Sequence, residues 1–420
     1  VLVRRMVPSW PPLARLSAEC SRKLYGSRSS CVLPKTRGFA TLGGTERQHF
    51  QAWSEELERL DVQLLPTAEQ YERKRWLLET LRPLLQKHTG GELRVFGSCD
   101  NGFWAKGSDV DACLLVKQCT QRLACLTKLK LVRCLIQREK IGAVQVIPAR
   151  VPVAKIKDAH NMELGDLSIN NLGALENSAF VSTFARLDDR VAPLGRFIKH
   201  WAKRRRINDR SQGTLSTYNL ILQLFYFLQQ REPPVLPTFE QLLLNTQDGA
   251  ALEGPPAPTA AGATAAPTGT VVAATSSSGG SAQAGVSTAG KAVGPGVPSA
   301  GPGAWDDMQG VMRPLPFVTD VVAIQRDIFP QQGQNREALG ELIYHYFQEF
   351  GDDRFHGGSQ GRIVQVYDAT EEPNDLGVLV MKCPLTWKNV NPMTIPVWQA
   401  IHAEFARAAK ILREGGSLHE

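Results

Sequence analysis

The chain has 420 residues, 43% of them hydrophobic and 21% charged, with 48 basic against 41 acidic side chains and a net charge of +7. Residues 1–40 hold eight basic residues and one acid, so the rest is near neutral and any polyanion site must be local. No run of eighteen apolar residues offers a spanning helix, and the eight cysteines show no C-x-x-C spacing, which speaks against a thiolate zinc site and for reduced thiols.

Residues 1–40 are rich in Arg, Ser and Leu, the composition of a mitochondrial presequence, with "RGFAT" (37–41) as a processing site; a disordered basic tail is the alternative. Residues 45–88 predict N-terminal helices with an apolar stripe through Leu57, Leu60, Leu77, Leu78, Leu81 and Leu85. Thr89-Gly90-Gly91 stops them. An α/β catalytic domain then covers 89–172, with strands at "LRVFG", "DVDACLLV", "GAVQVIP", "RVPVAKIKD" and "LGDLSIN" and a helix over 118–138. The last links are too short for crossover helices, so the sheet is partly antiparallel.

Residues 173–248 and 305–413 predict a mostly helical second domain, with helices at 190–206, 214–230, 335–350 and 397–413, a strand at "GRIVQVYD", and a tail at 414–420. Between the two parts, residues 249–304 are almost wholly Gly, Ala, Pro, Ser, Thr and Val. They cannot pack a core and predict a disordered insertion.

The chemistry concentrates in "GSCDNGFWAKGSDVDACLLV" (97–116). Asp109 and Asp111 are two apart, so in a strand both carboxylates project from one face. Like charges so close repel unless cations sit between them. "ELGDLSINN" supplies a third acid, Asp166, which completes a ligand set for two magnesium ions. An acidic strand edge is the plainer reading. Against it stands the strand-ending turn Gly97-Ser98, which offers backbone N–H groups and a hydroxyl to an anion, with no side chain at Gly97 to block a phosphate.

A second cluster lies in "GRFIKHWAKRRR". Lys199 and Lys203 share one helix face and flank Trp201, suiting the β- and γ-phosphates of a triphosphate, whereas Arg204 to Arg206 read as a solvated face. In "GTLSTYN", Thr217 offers a hydroxyl to phosphate and Tyr218 a ring for base stacking.

Taken together, G-S, S-D-x-D and the Asp of "DLSINN" resemble the nucleotidyltransferase superfamily of DNA polymerase beta. "LGRFIKHWAKRRRIND" with "GTLSTYNLILQLFYFLQ" narrows the resemblance to noncanonical poly(A) polymerases and terminal uridylyltransferases. "LGELIYHYFQEFG" and "FARAAKIL" look like their poly(A)-polymerase-associated segment and closing helix. The resemblance implies a bilobal α+β fold, with a mixed-sheet catalytic domain, a mostly helical domain and the nucleotide in the cleft between them. It implies two Mg²⁺ (or Mn²⁺) ions on Asp109, Asp111 and Asp166, with Asp166 helping to deprotonate an RNA 3′-hydroxyl. Ser98, Ser178, Lys199, Lys203 and Thr217 would hold the triphosphate, Asn177 would touch the ribose, and Tyr218 would stack on the base.

"VQVYDATEEPND" resembles the base-recognition stretch of uridine-selective members. Asp368 and Glu371 match the acid pair that holds a water against the uracil edge, where N3–H wants an acceptor. This implies UTP as substrate, with ATP as the alternative and an inactive scaffold as a remoter one. The short spacing between Asp111 and Asp166, with the presequence-like start, resembles the compact mitochondrial uridylyltransferases of kinetoplastid editosome-like complexes. That resemblance implies a monomeric catalytic subunit acting on RNA 3′ ends, double-stranded or guide RNA among them, inside an RNA-processing complex and without a membrane.

Overall fold

The computed structural model describes residues 44–117, 119, 121–243, 305–306, 311–312 and 315–419. The presequence-like segment and the core of the low-complexity insertion lie outside these residues. Two helices come first: α1 (Gly44–Leu64) and α2 (Ala68–Thr89). Pro66 ends the first, and Thr67 opens the second with a capping box, its hydroxyl accepting from the Gln70 amide while the Gln70 side chain accepts from Thr67 N. Gly90, at φ +65°, closes it.

The first lobe is a five-stranded sheet. Its strands are β1 (Glu92–Phe96), β2 (Val110–Leu115), β3 (Ala143–Ile147), β4 (Val153–Lys157) and β5 (Glu163–Ile169), in the order β1-β2-β5-β4-β3. Only β2 and β5 run parallel; the other neighbours are antiparallel, as the short connections require. One face buries Leu93, Val110, Ala112, Leu114, Leu167, Ala154, Ile156 and Val144 against α2 and α3 (Arg122–Arg138). The opposite face carries the acids. The sequence places the third helix from 118, but it begins at Arg122.

The second lobe is built on α4 (Leu172–Leu187), α5 (Val191–Arg204), α6 (Thr217–Gln229), α8 (Leu339–Phe350) and α9 (Ile395–Arg413). A two-residue ladder, β6 (Trp305–Asp306) with β7 (Val311–Met312), and a single turn, α7 (Val321–Ala323), lie between α6 and α8. Phe180, Phe184, Phe225 and Phe239 interlock here, and Trp201, Tyr346, Phe347 and Phe405 form a second aromatic nest. The sequence anticipates one strand in this lobe. Besides the β6–β7 ladder, the described residues form a three-stranded sheet, β8 (Gly361–Gln365), β9 (Thr370–Asn374) and β10 (Leu379–Lys382), in the order β10-β8-β9. β9, "TEEPN", is polar and holds Pro373, which an edge strand tolerates and sequence periodicity does not announce.

The two N-terminal helices part company. α2 packs on the sheet, whereas α1 crosses to the helical lobe and packs on α5 and α8. Arg196 of α5 fixes the crossing. Its guanidinium grips both carboxylate oxygens of Asp61, at 2.6 and 2.7 Å, and donates to the carbonyl of Gly102 at 2.8 Å. The segment after α9 also binds α1: Trp53 Nε1 donates to Gly416 O, and Glu56 accepts from Ser417 Oγ and the Leu418 amide.

A buried charge stripped of its partner costs about 3–5 kcal/mol, whereas an exposed pair contributes under about 1. Asp61→Asn should therefore lower the urea unfolding free energy by about 3 kcal/mol. Arg75→Ala, which breaks the exposed pairs with Glu72 and Glu79, should change it by less than about 0.5. Equal losses would remove Arg196 from its role as a clamp.

Candidate active site

β1 ends at Phe96, and Gly97–Cys99 form one turn of 3₁₀-helix. Gly97 sits at φ +72°, and a Cβ there would lie 2.4 Å from Asp111 Oδ2. Only glycine permits this turn to close over the carboxylate. The Gly97 amide donates to Ser178 Oγ at 3.1 Å, tying the turn to α4 and leaving the Ser178 hydroxyl proton to face an anion.

Asp109 is the last residue before β2, and Asp111 lies within it. Asp111 is the cross-strand partner of Asp166 on β5 and of Phe96 on β1. The close approach of β5 to β2 depends on Gly165, where a Cβ would meet Val110 O at 2.4 Å. Burial, then the charges of Asp166 and Asp109, push the Asp111 carboxyl up to about 6. Burial also raises Asp166, opposed by Lys155, whose Nζ bonds both its oxygens at 3.1 and 3.2 Å.

Lys199 and Lys203 share a face of α5, where Leu194, Phe197, Ile198 and Trp201 are buried. Lys199 is itself buried and donates to Ser108 Oγ at 3.0 Å. Burial, then the neighbouring Lys203, lower its ammonium to about 8. Of the arginines expected to be solvated, Arg205 instead pairs with Glu404 at 2.7 Å.

A cavity of about 480 Å³ joins these groups. Gly97, Ser98, Asp109, Asp111, Asn177, Ser178, Lys199, Lys203, Thr217 and Tyr218 all line it. Thr217 opens α6 and donates to Asn208 Oδ1 at 3.3 Å, and the Tyr218 hydroxyl donates to Asn177 Oδ1 at 2.9 Å. Sequence reasoning passed over Asn101, Ser108 and Asn208, which also line it. Ser108 stood inside the S-D-x-D motif as a usable signal; lone asparagines in loops give none.

Three expected residues are not in the cavity wall. Asp166 lies beside Asp111, behind it and against Lys155. Asp368 sits in the turn between β8 and β9, its Oδ1 accepting from the Thr370 amide and hydroxyl. Glu371 is turned into the lobe, accepting from the Tyr226 hydroxyl at 3.1 Å, with Arg362 and Arg354 at 3.4 and 3.6 Å.

Three hard oxygen donors from adjacent strands suit a small divalent cation, and the raised Asp111 carboxyl together with the lysine on Asp166 marks a cluster short of positive charge. Among the described residues, the trio of ligand atoms lying within 4.8 Å of one another is a different one, Glu337, Glu341 and His345. It is a poor ion site, because both Glu337 oxygens already accept from Arg231 and one also from Asn335.

Next to Asn177 on α4, Glu176 is buried, and burial alone pushes its carboxyl up to about 7. Because the folded chain then holds this proton more tightly than the unfolded one, stability contributed here is lost as pH rises from about 4.5 to 7. Glu176→Gln should therefore stabilise the protein at pH 8 by about 1–2 kcal/mol, after allowance for solvent screening, and leave it unchanged near pH 4.5. Denaturant unfolding of both proteins at the two pH values checks this, and a gain that does not depend on pH would refute it.

Residues 53–186, from α1 to the end of α4, match the family model described as "Poly(A) RNA polymerase, mitochondrial-like, central palm domain". Human Terminal uridylyltransferase 4 is 35% identical over 189 residues, which are 43% of this chain and 11% of that protein. Rat Poly(A) RNA polymerase GLD2 is 36% identical over 159 residues, 36% of this chain and 33% of that one. The chain thus spans a third or less of the length of these relatives. The crystal structure of the Cid1 poly(U) polymerase superposes with a TM-score of 0.61 at 21% identity, covering 87% of this chain and 94% of Cid1, so the bilobal nucleotidyltransferase fold is shared throughout. Residues 53–186 thus match a poly(A) RNA polymerase palm, and the chain shares the bilobal fold of the Cid1 poly(U) polymerase.

Proposed function

We propose that the protein is a template-independent RNA 3′-terminal uridylyltransferase, joining UMP from UTP to an RNA 3′-hydroxyl and releasing pyrophosphate. The observation that carries the reading is the cavity, with paired acids on its sheet wall and a buried lysine on its helical wall. Fixed positive charge opposite carboxylates is what a metal-bound triphosphate needs.

Asp109, Asp111 and Asp166 would hold two divalent ions, which supply neutralisation at the α-phosphate and lower the pKa of the attacking hydroxyl. Lys199 and Lys203 meet the charge that develops on pyrophosphate as the bond from the α-phosphorus to the bridging oxygen breaks. The Gly97-Ser98 turn and the hydroxyls of Ser178 and Thr217 hold the remaining phosphate oxygens. Asn177 faces the ribose. Tyr218, its hydroxyl fixed on Asn177, presents its ring to the base.

The preference for uridine is supported by the uridylyltransferase and poly(U) polymerase among the similar proteins, and by Asp368 of the expected acid pair. Glu371 is pinned by Tyr226 and two arginines, which leaves Asp368 as the acid with a free Oδ2 for a base-bound water. ATP is the second reading, favoured by the poly(A) polymerase palm match. A mitochondrial setting is supported by the basic N-terminal composition and by the mitochondrial-like family description. The compact spacing of the acids supports work within an editosome-like RNA-processing complex.

Incubation of one RNA primer with all four nucleotides and Mg²⁺ should give tails of uridine. Asp109→Ala with Asp111→Ala should abolish tailing, and Lys199→Ala should lower kcat by about 10²–10³-fold. Adenosine tails would replace the uridine reading, and tailing that survives loss of both acids would end the transferase reading.

A further inference from the structure

We infer that the open face of β4 and β3, led by Lys155 and continued by Lys157 and Gln145, is the seat of the RNA strand that ends in the reacting hydroxyl. This deepens the reading above and rests on it for the reaction, though not for the test.

The argument begins with direction. In-line displacement puts the attacking oxygen on the side of the phosphorus opposite the leaving group. Four groups suited to the triphosphate gather on the β1–β2 side of the acids: Gly97 and Ser98 follow β1, Ser178 accepts from the Gly97 amide, and Lys199 is bonded to Ser108 just before β2. The strand must then arrive from the other side of Asp111 and Asp166, where the sheet continues through β5 to β4 and β3.

That side is built to receive it. Cross-strand partners share a face, so Asp111, Asp166, Lys155 and Gln145 form one row across four strands. The register shift at Ile156/Lys157 keeps Glu163 on this face too, although it is three residues from Asp166, and the Lys155 ammonium reaches it at 4.0 Å. Along β4 the alternation is strict. Ala154 and Ile156 are buried against the α2–α3 side, while Val153, Lys155 and Lys157 are partly exposed, and Gln145 on β3 is exposed. The helix that packs on β3 and β4 is α3, on the buried face.

Charge chooses the occupant. Lys155 now neutralises Asp166, a carboxylate better served by a divalent cation. Once a cation takes that carboxylate, the Lys155 ammonium is released to a phosphodiester one nucleotide back from the 3′ end. The amide of Gln145 continues the row across β3, and Lys157 lies two residues along β4 on the same face. Two cations and a neutral donor on one face of neighbouring strands fit a sugar-phosphate backbone, whose charges repeat at a spacing that such side chains can follow.

The test uses the full chain and a fluorescein-labelled RNA whose last nucleotide lacks the 3′-hydroxyl, so that binding is read without turnover. Lys157→Gln should weaken RNA binding about 3–10-fold and reduce the slope of log K against log salt by about one. Gln145→Glu should weaken binding comparably by repulsion. The KM for UTP should stay within about two-fold in both variants, since neither residue lies in the triphosphate wall. The same RNA ending in 4-thiouridine should photocrosslink to peptides of β3, β4 or β5. Unchanged affinity and salt slope in both variants, crosslinks confined to the helical lobe, or an acidic polypeptide bound at this face with no RNA bound would each overturn the placement. Adenosine tails would revise the nucleotide and leave the strand where it is.

Discussion

Three carboxylates in a row on adjacent strands repel one another, and the active lobe is arranged around containing that repulsion. Asp111 bears most of it, being the most buried and having an acid on either side; its carboxyl rises to about 6. Positive charge has been placed on both flanks without quite reaching it. Lys155 is spent on Asp166, and Lys199 on Ser108. A site held in this condition suits small divalent cations, because each added positive charge would relieve more than one pair of negative ones.

Glycine and arginine do the structural work that this placement demands. Gly97 and Gly165 allow backbone to approach where a methyl group would collide with the Asp111 carboxylate or the Val110 carbonyl. Arg196 works at longer range, joining α1, α5 and the loop that leads to Asp109 through one guanidinium. The acid row therefore depends on contacts in both lobes, and damage to either should be felt at the cavity.

What could be read from the sequence was mostly what is local. Asp109 with Asp111, and Lys199 with Lys203, are legible because the periods of strand and helix fix their faces within a few residues. Asp166 could be offered as a third acid from its strand-like setting, but nothing local pairs β2 with β5, so its place opposite Asp111 is seen only in the fold. Lys155 was missed because its partner lies across a strand boundary. Glu176 was missed because a lone acid in a helix reads as solvent-facing. The amphipathic stripe of α1 was plain, but a stripe does not name its partner, and α1 turned to the helical lobe while α2 stayed on the sheet. β9 was invisible for a different reason: as a polar edge strand with a proline, it lacks the alternation that marks its neighbours.

The anchorage of α1 also bears on the order in which the molecule is made. This helix emerges from the ribosome ahead of the palm that it introduces. Its apolar side is closed by α5, by α8 and by the turn at 416–418, all of which follow the palm in the chain. Until α8 is made, Phe50 and Trp53 lack Tyr344, the ring that packs against both. The nascent chain therefore carries an adhesive segment from α1 until α8 has been made, and a chaperone that shields this segment would govern how much of the protein reaches its folded state.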